Sequence, residues 1–321
     1  MTDYTTDDDT PLDPKQWRIL TDQQRYLLIE QMYITHYGLL PVFEEFERIV
    51  ARAQESETWI PYGLALLGES GVGKTAAVQH WMKTALVHRN TSLPEEQRPY
   101  LYISLPPAVT NKGLLSDWLA ALGDPSCKVG TQWDMEKRLR SFIKAQHVQL
   151  VCIDNLHHLV HRETGRVLYE YVDFLEQIII PTEIAAVFIG HPGTTEALLR
   201  TSPRLQRCIE SVRYFRPFEW DRQRLPTIKE FRMLLRAIDQ ALPLDPSSLD
   251  EEEIAYSLFY ATDGNPGCLF ELIRAAARKA VHVHAETLNR PLLAETYDER
   301  SAAMERKEKV NPFSTPDFRE A

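Results

Sequence analysis

The eight residues Gly68–Thr75, GESGVGKT, constrain the fold of this chain more than any other part of its sequence. They fit the pattern GxxxxGK[ST] at every required position, which is the pattern of a phosphate-binding loop. Such a loop lies between a buried strand and a helix, because the helix N-terminus presents a positive dipole end and free N–H groups to an anion. The sequence supplies both neighbours, with an apolar run before Gly68 and a helical pattern from Lys74 onward.

The chemistry of the loop explains the spacing of its residues. Glycines allow backbone N–H groups to turn inward around phosphate oxygens without a clash from a Cβ atom. Lys74 is expected to reach the β- and γ-phosphates of ATP, and the Thr75 hydroxyl is expected to coordinate Mg²⁺. The predicted cofactors are therefore ATP and Mg²⁺, held by Gly68, Glu69, Ser70, Gly71, Val72, Gly73, Lys74 and Thr75.

A phosphate-binding loop also needs an acidic residue elsewhere in the chain to position Mg²⁺, and Asp154 is the candidate. It ends the apolar run LVCID, so it is expected at the carboxyl end of a buried strand, where ligands of open α/β sheets bind. Asn155 follows it where many ATPases carry a glutamate base. An amide orients water but does not accept its proton. Nucleotide binding is thus expected, with either slow turnover or a base supplied from elsewhere.

The order of predicted elements defines the fold class. Short apolar runs alternate with helical patterns, which predicts an α/β fold with a parallel sheet of about five strands between helices. From about residue 221 the strands stop, and three helical patterns predict a small all-α domain. The predicted strands are Tyr62–Leu67, Tyr100–Leu105, Gln149–Asp154, Ile184–Gly190 and Ser211–Phe215.

These patterns predict four regions along the chain. Residues 1–20 form an acidic, disordered N-terminus, and residues 21–220 form the ATP-binding domain with two helices at its start. Residues 221–289 form the helical domain, and the charged residues 290–321 form a tail. No basic, apolar leader and no apolar run long enough to span a bilayer is present, so a cytoplasmic protein without membrane partners is expected.

Several stretches together resemble one family. In chain order they read GESGVGKT, YLYISLPP, LLSDWLAALGDP, VQLVCIDNLHHL, AAVFIGHPGTTEAL and RLQRCIESVRYFRPFEW. This series resembles the transposition ATPases TniB and TnsC, the AAA+ regulators of Tn7-like and Tn5053-like transposons, over roughly residues 25–285. The resemblance implies the AAA+ fold, in which the all-α domain is the lid.

The resemblance also implies roles for individual residues. Asp154 matches the acid that positions Mg²⁺, and Asn155 departs from the usual glutamate. His191 falls where a polar sensor of the γ-phosphate is expected. Arg207 matches the arginine that reaches the ATP of a neighbouring subunit, with Arg204 in reserve. The predicted catalytic set is Lys74, Asp154, Asn155, His191 and Arg207.

The resemblance further implies partners in a bacterial cytoplasm. Members assemble as homo-oligomeric rings or helical filaments on duplex DNA and link a TniQ-like target selector to a transposase. The loops that bind DNA in the family hold Lys112 and Thr131 here, and they carry no pattern for reading bases. A formal net charge of −10 argues against a simple nucleic-acid coat, so weak contacts repeated along an oligomer are expected.

Two other functions are compatible with the sequence. Asn155 favours a scaffold that binds ATP and assembles with little hydrolysis. The same motifs also fit a switch of the secretion-ATPase or origin-recognition type. All three readings share the ATP site, and they differ in what nucleotide binding controls.

Overall fold

The computed structural model describes residues 16–55, 62–88, 97–107, 110–160, 169–303 and 310–314. The chain forms two compact units. One is continuous and runs from Gly38 to Arg216, and the other combines the residues up to Tyr37 with those from Pro217 onward.

The continuous unit is built on a parallel sheet of five strands in the order β2-β3-β4-β1-β5. Strands β1, β3 and β4 are buried along their whole length, while β5, at the edge, is mostly exposed. This burial follows from their nearly continuous apolar sequences, which suit a sheet covered on both faces. The strands are β1 (Gly63–Gly68), β2 (Tyr100–Ser104), β3 (Leu150–Asp154), β4 (Ala185–Gly190) and β5 (Ile209–Phe215).

Helices cover both faces of this sheet and create two apolar cores. Alternate residues of β1 divide between them, with Leu64 and Leu66 on one side and Ala65 and Leu67 on the other. The helices of this unit are α2 (Leu40–Glu55), α3 (Lys74–His88), α4 (Asn111–Ala121), α5 (Gln132–Ala145), α6 (Tyr169–Thr182), α7 (Thr194–Thr201) and α8 (Pro203–Cys208). The five strands predicted from the sequence are confirmed to within two residues at each end.

The second unit is helical in its described residues, with a core of its own. Asn265 caps α11 by accepting hydrogen bonds from the N–H groups of Gly267 and Cys268, at 3.0 and 3.3 Å. Gly264 precedes this cap with φ +66°, and a Cβ there would lie 2.2 Å from the carbonyl oxygen of Phe218. The helices are α1 (Asp22–Gln31), α9 (Leu225–Ala241), α10 (Glu252–Thr262), α11 (Pro266–His282) and α12 (Arg290–Ala303).

The predicted domain boundaries differ from this division at the first helix. Helix α1 was expected in the ATP-binding domain, yet Ile29 is fully buried in the core of the helical unit. Arg274 of α11 donates to the carbonyl oxygen of Met32 at 2.6 Å, and Arg25 donates to that of Pro243 at 3.2 Å. These long-range contacts attach α1 to the C-terminal helices.

The second difference concerns residues 290–321, which were expected to form a tail. Helix α12 packs on α11, and Leu293 is fully buried. Phe313 is only 3% exposed in the same core, and the Ser257 hydroxyl donates to the carbonyl oxygen of Pro312 at 3.2 Å. The part of the predicted tail that the structure describes is therefore integral to the helical unit, and the predicted disorder of 1–20 falls mostly outside the described residues.

Replacing Phe313 by alanine is expected to destabilise the helical unit by about 3–5 kcal/mol, the usual cost of truncating a buried aromatic side chain. Urea unfolding of the full chain, followed by circular dichroism, measures the change. Val310→Ala is the matched control, since Val310 is 69% exposed. Equal stability of the two variants would show that this segment is a free tail.

The described residues contain no helix that is both long and apolar enough to cross a membrane.

Candidate nucleotide-binding site

The loop Gly68–Thr75 joins β1 to α3 at the carboxyl edge of the sheet. Gly71 and Gly73 have φ values of +80° and +91°, a region that side chains with a Cβ rarely adopt. Gly68 is required for another reason, because a Cβ there would lie 2.5 Å from the carbonyl oxygen of Phe215 in β5. The loop therefore has the strand, turn and helix context that the sequence predicted.

Lys74 opens α3 and turns back over the loop. Its Nζ donates hydrogen bonds to the carbonyl oxygens of Gly68 and Glu69, both at 2.7 Å. Burial lowers the pKa of Lys74, and Asp154 and Glu69 oppose that shift by stabilising the charged form. The ammonium group is thus held beside the loop, where phosphate oxygens would meet it.

Thr75 and Asp154 meet at one point beside the loop. The Thr75 hydroxyl donates to Asp154 Oδ2 at 2.5 Å, although the two residues lie on α3 and β3. A hydroxyl and a carboxylate are hard oxygen ligands of the kind that Mg²⁺ prefers. These residues fit Mg²⁺ bound together with a nucleotide.

Two polar residues of β2 complete this site and were not predicted. Tyr102 donates its hydroxyl hydrogen to Asp154 Oδ2 at 2.7 Å. Burial, reinforced by the hydrogen bond to Asp154, raises the pKa of Tyr102, so the phenol stays a donor at neutral pH. Ser104 lies opposite Asp154 in the β2–β3 register. The sequence did contain a signal for both residues, because polar side chains near the carboxyl end of a neighbouring parallel strand lie at the same edge of the sheet as Asp154.

Asn155 has a left-handed backbone conformation, with φ 61°. Asparagine tolerates this region better than most residues with a side chain. Its Nδ2 donates to the Ser104 hydroxyl at 3.0 Å, and its N–H donates to Asp154 Oδ1 at 2.6 Å. The amide therefore faces the edge of the site, next to the carboxylate.

His191 follows β4, and its Nδ1 lies 3.4 Å from Glu69 Oε2 in the phosphate-binding loop. Its ring meets that of His157 edge to face, with the centroids 4.5 Å apart. Burial, with smaller effects of His158 and His191, lowers the pKa of His157 to about 4, so this ring is neutral at pH 7. The His191 ring is therefore in contact with Glu69 on one side and with His157 on the other. The contact with His157 was not predicted from the sequence.

The two candidate arginines of α8 differ in their surroundings. Arg204 pairs with Glu176 at 3.1 Å, whereas Arg207 is exposed and makes no ion pair within the described residues. Of the two candidates, Arg207 is thus the one whose guanidinium has no ion pair among the described residues.

The two predicted DNA contacts lie at the N-termini of successive helices. Lys112 is exposed in the first turn of α4. Thr131 caps α5, with its hydroxyl accepting from the N–H of Asp134 at 3.2 Å and donating to Asp134 Oδ2 at 2.6 Å. Lys112 forms no ion pair within the part of the chain that the structure describes, while the Thr131 hydroxyl is already engaged in the capping box.

Strand order and site geometry together define the class. A parallel sheet in the order β2-β3-β4-β1-β5, with the phosphate-binding loop after β1 and the acid at the end of β3, is the AAA+ fold. A family model described as "Bacterial TniB protein" matches residues 26–216, more than half of the chain. The chain belongs to the TniB family.

Solved structures confirm the fold at low sequence identity. The Aeropyrum pernix ORC1 protein in complex with DNA aligns with a TM-score of 0.62 and 18% identity, covering 88% of this chain and 71% of that one. The Aeropyrum pernix ORC2 protein in ADPNP–ADP complexes aligns with a TM-score of 0.61 and 16% identity, covering 88% of this chain and 74% of that one. Cdc6p from Pyrobaculum aerophilum aligns with a TM-score of 0.61 and 14% identity, covering 87% of this chain and 71% of that one. No curated protein matches the sequence.

Proposed function

We propose that this protein is an ATP-dependent regulator of DNA transposition. In this proposal it assembles on duplex DNA and links a TniQ-like target selector to a transposase. The observation that carries the proposal is the meeting of Lys74, Thr75 and Asp154 at the phosphate-binding loop of a TniB-family chain. The proposed setting is the bacterial cytoplasm, in association with DNA.

The proposed chemistry is phosphoryl transfer from ATP to water. Backbone N–H groups of the loop and the Lys74 ammonium would hold the phosphates. Thr75 and Asp154 would hold Mg²⁺, and the ion would supply neutralisation of charge on the phosphate oxygens. In this proposal His191 senses the γ-phosphate, and its contacts with Glu69 and His157 support that role. These residues bind and orient the reacting groups, which is most of what this reaction requires from a protein.

Arg207 links this chemistry to assembly. An arginine that reaches the γ-phosphate of the next subunit makes each site complete only at a subunit interface. ATP bound between two subunits then favours the ring or filament, since the guanidinium pairs with phosphate across the boundary. The exposure of Arg207 and its lack of an ion pair within the described residues support this role.

The proposed DNA contact is with the phosphate backbone, without base specificity. Lys112 combines an ammonium group with the positive end of α4, and both attract phosphate. One or two such contacts from each subunit are weak, but an oligomer multiplies them. Two of the structural relatives were solved with DNA, the archaeal ORC1 protein and Drosophila ORC.

A second candidate function, favoured by Asn155, is an assembly scaffold with little hydrolysis. An amide replaces the carboxylate base, and its Nδ2 is occupied by Ser104 at 3.0 Å. In this case ATP binding drives assembly, and disassembly awaits a partner. A secretion or origin-type switch would share the ATP site but would not bring a transposase to DNA.

Asn155→Glu is expected to raise ATP turnover by about 10- to 100-fold, because a carboxylate at this position accepts the proton of the attacking water. Asn155→Gln is the matched control, since it adds the same length and carries the same cost of a left-handed backbone without adding a base. Phosphate release under saturating ATP measures both variants. Equal rates for the two would show that residue 155 does not limit turnover.

Electron microscopy and sedimentation with duplex DNA test the proposed assembly. We expect rings or filaments on DNA with ATP, and their loss with ADP. Lys112→Ala should weaken DNA-dependent assembly at least about fivefold, because each subunit loses a phosphate contact and the loss is repeated along the oligomer. Lys83→Ala, which removes an exposed lysine of α3, is the control. DNA binding that is unchanged by Lys112→Ala would refute that contact.

A further inference from the structure

Tyr102 reaches the carboxylate of Asp154 across two neighbouring strands. Tyr102 lies on β2 opposite Cys152 of β3, so Asp154 is two residues further along the partner strand. Residues two apart on a strand point to the same face, which makes Tyr102 and Asp154 diagonal neighbours on one face of the sheet. Aromatic and long side chains reach a diagonal neighbour. The Tyr102 hydroxyl accordingly lies 2.7 Å from Asp154 Oδ2.

The Asp154 carboxylate is buried and is held by three donors. The residue is only 2% exposed. Its Oδ2 accepts from the Thr75 hydroxyl at 2.5 Å and from the Tyr102 hydroxyl at 2.7 Å. Its Oδ1 accepts from the N–H of Asn155 at 2.6 Å. A buried carboxylate without such partners would be strongly disfavoured, so these hydrogen bonds fix where its two oxygens lie.

The three donors belong to different parts of the fold. Thr75 lies at the end of the phosphate-binding loop, and the Asn155 N–H belongs to the residue that follows Asp154 in sequence. Tyr102 belongs to β2, which pairs with β3 over its whole length. Its hydrogen bond therefore ties the carboxylate to the sheet rather than to the loop.

A donor in this position acts on a metal site through the ligand that it holds. A ligand oxygen that is already fixed does not have to be ordered when the ion binds, and loss of such an outer partner usually weakens metal binding about 10- to 100-fold. The phosphates meet the loop and Lys74 instead. A change at Tyr102 should thus alter the contribution of Mg²⁺ and leave that of the phosphates as it is.

We propose that Tyr102 is a positioning residue of the Mg²⁺ site, which holds Asp154 Oδ2 in the orientation that the ion requires. This inference rests on the proposed binding of ATP with Mg²⁺ and adds a residue of β2 to that site. The Tyr102 hydroxyl then determines how strongly Mg²⁺ favours nucleotide binding. A phenol that only fills space beside the sheet would affect stability alone.

Titration with a fluorescent ATP analogue, first with Mg²⁺ and then in EDTA, separates the two contributions. Tyr102→Phe removes the hydroxyl and keeps the ring. Its affinity with Mg²⁺ is expected to fall about tenfold, while its affinity in EDTA stays that of the unaltered chain. Tyr171→Phe, which removes a phenolic hydroxyl from α6, is the matched control and should behave as the unaltered chain does in both titrations.

A second variant separates the hydroxyl from the packing of the ring. Tyr102→Leu lacks both, so its melting temperature without ligand should fall below that of Tyr102→Phe, while its loss of the Mg²⁺ effect should be the same. An effect of Mg²⁺ that is unchanged in Tyr102→Phe, or reduced in Tyr102→Leu alone, would overturn the role of the hydroxyl and leave ATP binding intact. Failure of the unaltered chain to bind the analogue in either titration would overturn this role together with the proposed function.

Discussion

Lys74→Ala is expected to weaken ATP binding at least about 100-fold and to abolish measurable turnover. The Lys74 ammonium lies at the phosphate-binding loop, 2.7 Å from two of its carbonyl oxygens, with a pKa lowered by burial. A charge-assisted hydrogen bond to phosphate contributes about 1.5–3 kcal/mol, and each 1.4 kcal/mol is a factor of ten. Loss of contacts to two phosphates therefore accounts for the expected change.

Titration with a fluorescent ATP analogue and measurement of phosphate release provide the test. Lys83→Ala is the matched control, because Lys83 is an exposed lysine on the same helix, α3. The control should bind and turn over ATP as the unaltered chain does. If the ATP affinity of Lys74→Ala were within about threefold of that of the unaltered chain, the assignment of this loop as the phosphate-binding site would be wrong.

Arg207→Ala is expected to reduce turnover about 1,000-fold or more while ATP affinity changes little. An arginine that reaches the γ-phosphate of a neighbouring subunit acts mainly on the charge that develops in the transition state. Arg204→Ala is the control on the same helix. It breaks the exposed ion pair with Glu176 and should leave turnover unchanged.

Mixing two inactive variants tests whether Arg207 acts between subunits. A Lys74→Ala subunit still supplies Arg207, and an Arg207→Ala subunit still has an intact loop. Mixed assemblies therefore contain some complete sites, and the mixture should regain a substantial part of the lost activity. A mixture as inactive as its components would show that Arg207 works within its own chain or not at all.

The sequence predicted the parts of the site that local patterns specify. The phosphate-binding loop needs glycines and a strand–helix context within a few residues, and Asp154 ends an apolar strand. The structure brings Asp154 within 2.5 Å of Thr75, as the motif requires. The specific roles of His191, Arg207, Lys112 and Thr131 came from family resemblance and stay predictions. The Arg207→Ala and Lys112→Ala variants test two of them.

The features that the sequence did not predict depend on contacts between distant segments. Tyr102 reaches Asp154 only because β2 pairs with β3 in one particular register. Likewise, α1 belongs to the helical unit through contacts such as the one from Arg274 to Met32, which are 242 residues apart. No local pattern along the chain determines which of two cores such a segment joins.

Helix α12 was missed for a more local reason. Its inward positions include Thr296, which is only 2% exposed and interrupts the apolar pattern that predicts a helix. The Thr296 hydroxyl is satisfied inside the helix by the carbonyl oxygen of Leu292 at 2.7 Å, so its burial costs little. The sequence of α12 therefore lacks a continuous apolar pattern, although the helix packs in the core of the helical unit.

ATP turnover with and without duplex DNA, together with electron microscopy of the same samples, tests whether ATP binding controls assembly on DNA. We expect rings or filaments on DNA in the presence of ATP, with slow turnover that responds to DNA and disappears in Lys74→Ala. Ordered assemblies with negligible turnover would favour the scaffold over the hydrolysing regulator. The absence of both assembly and any response to DNA would contradict the proposed function. The protein would then be a nucleotide-binding switch of another kind.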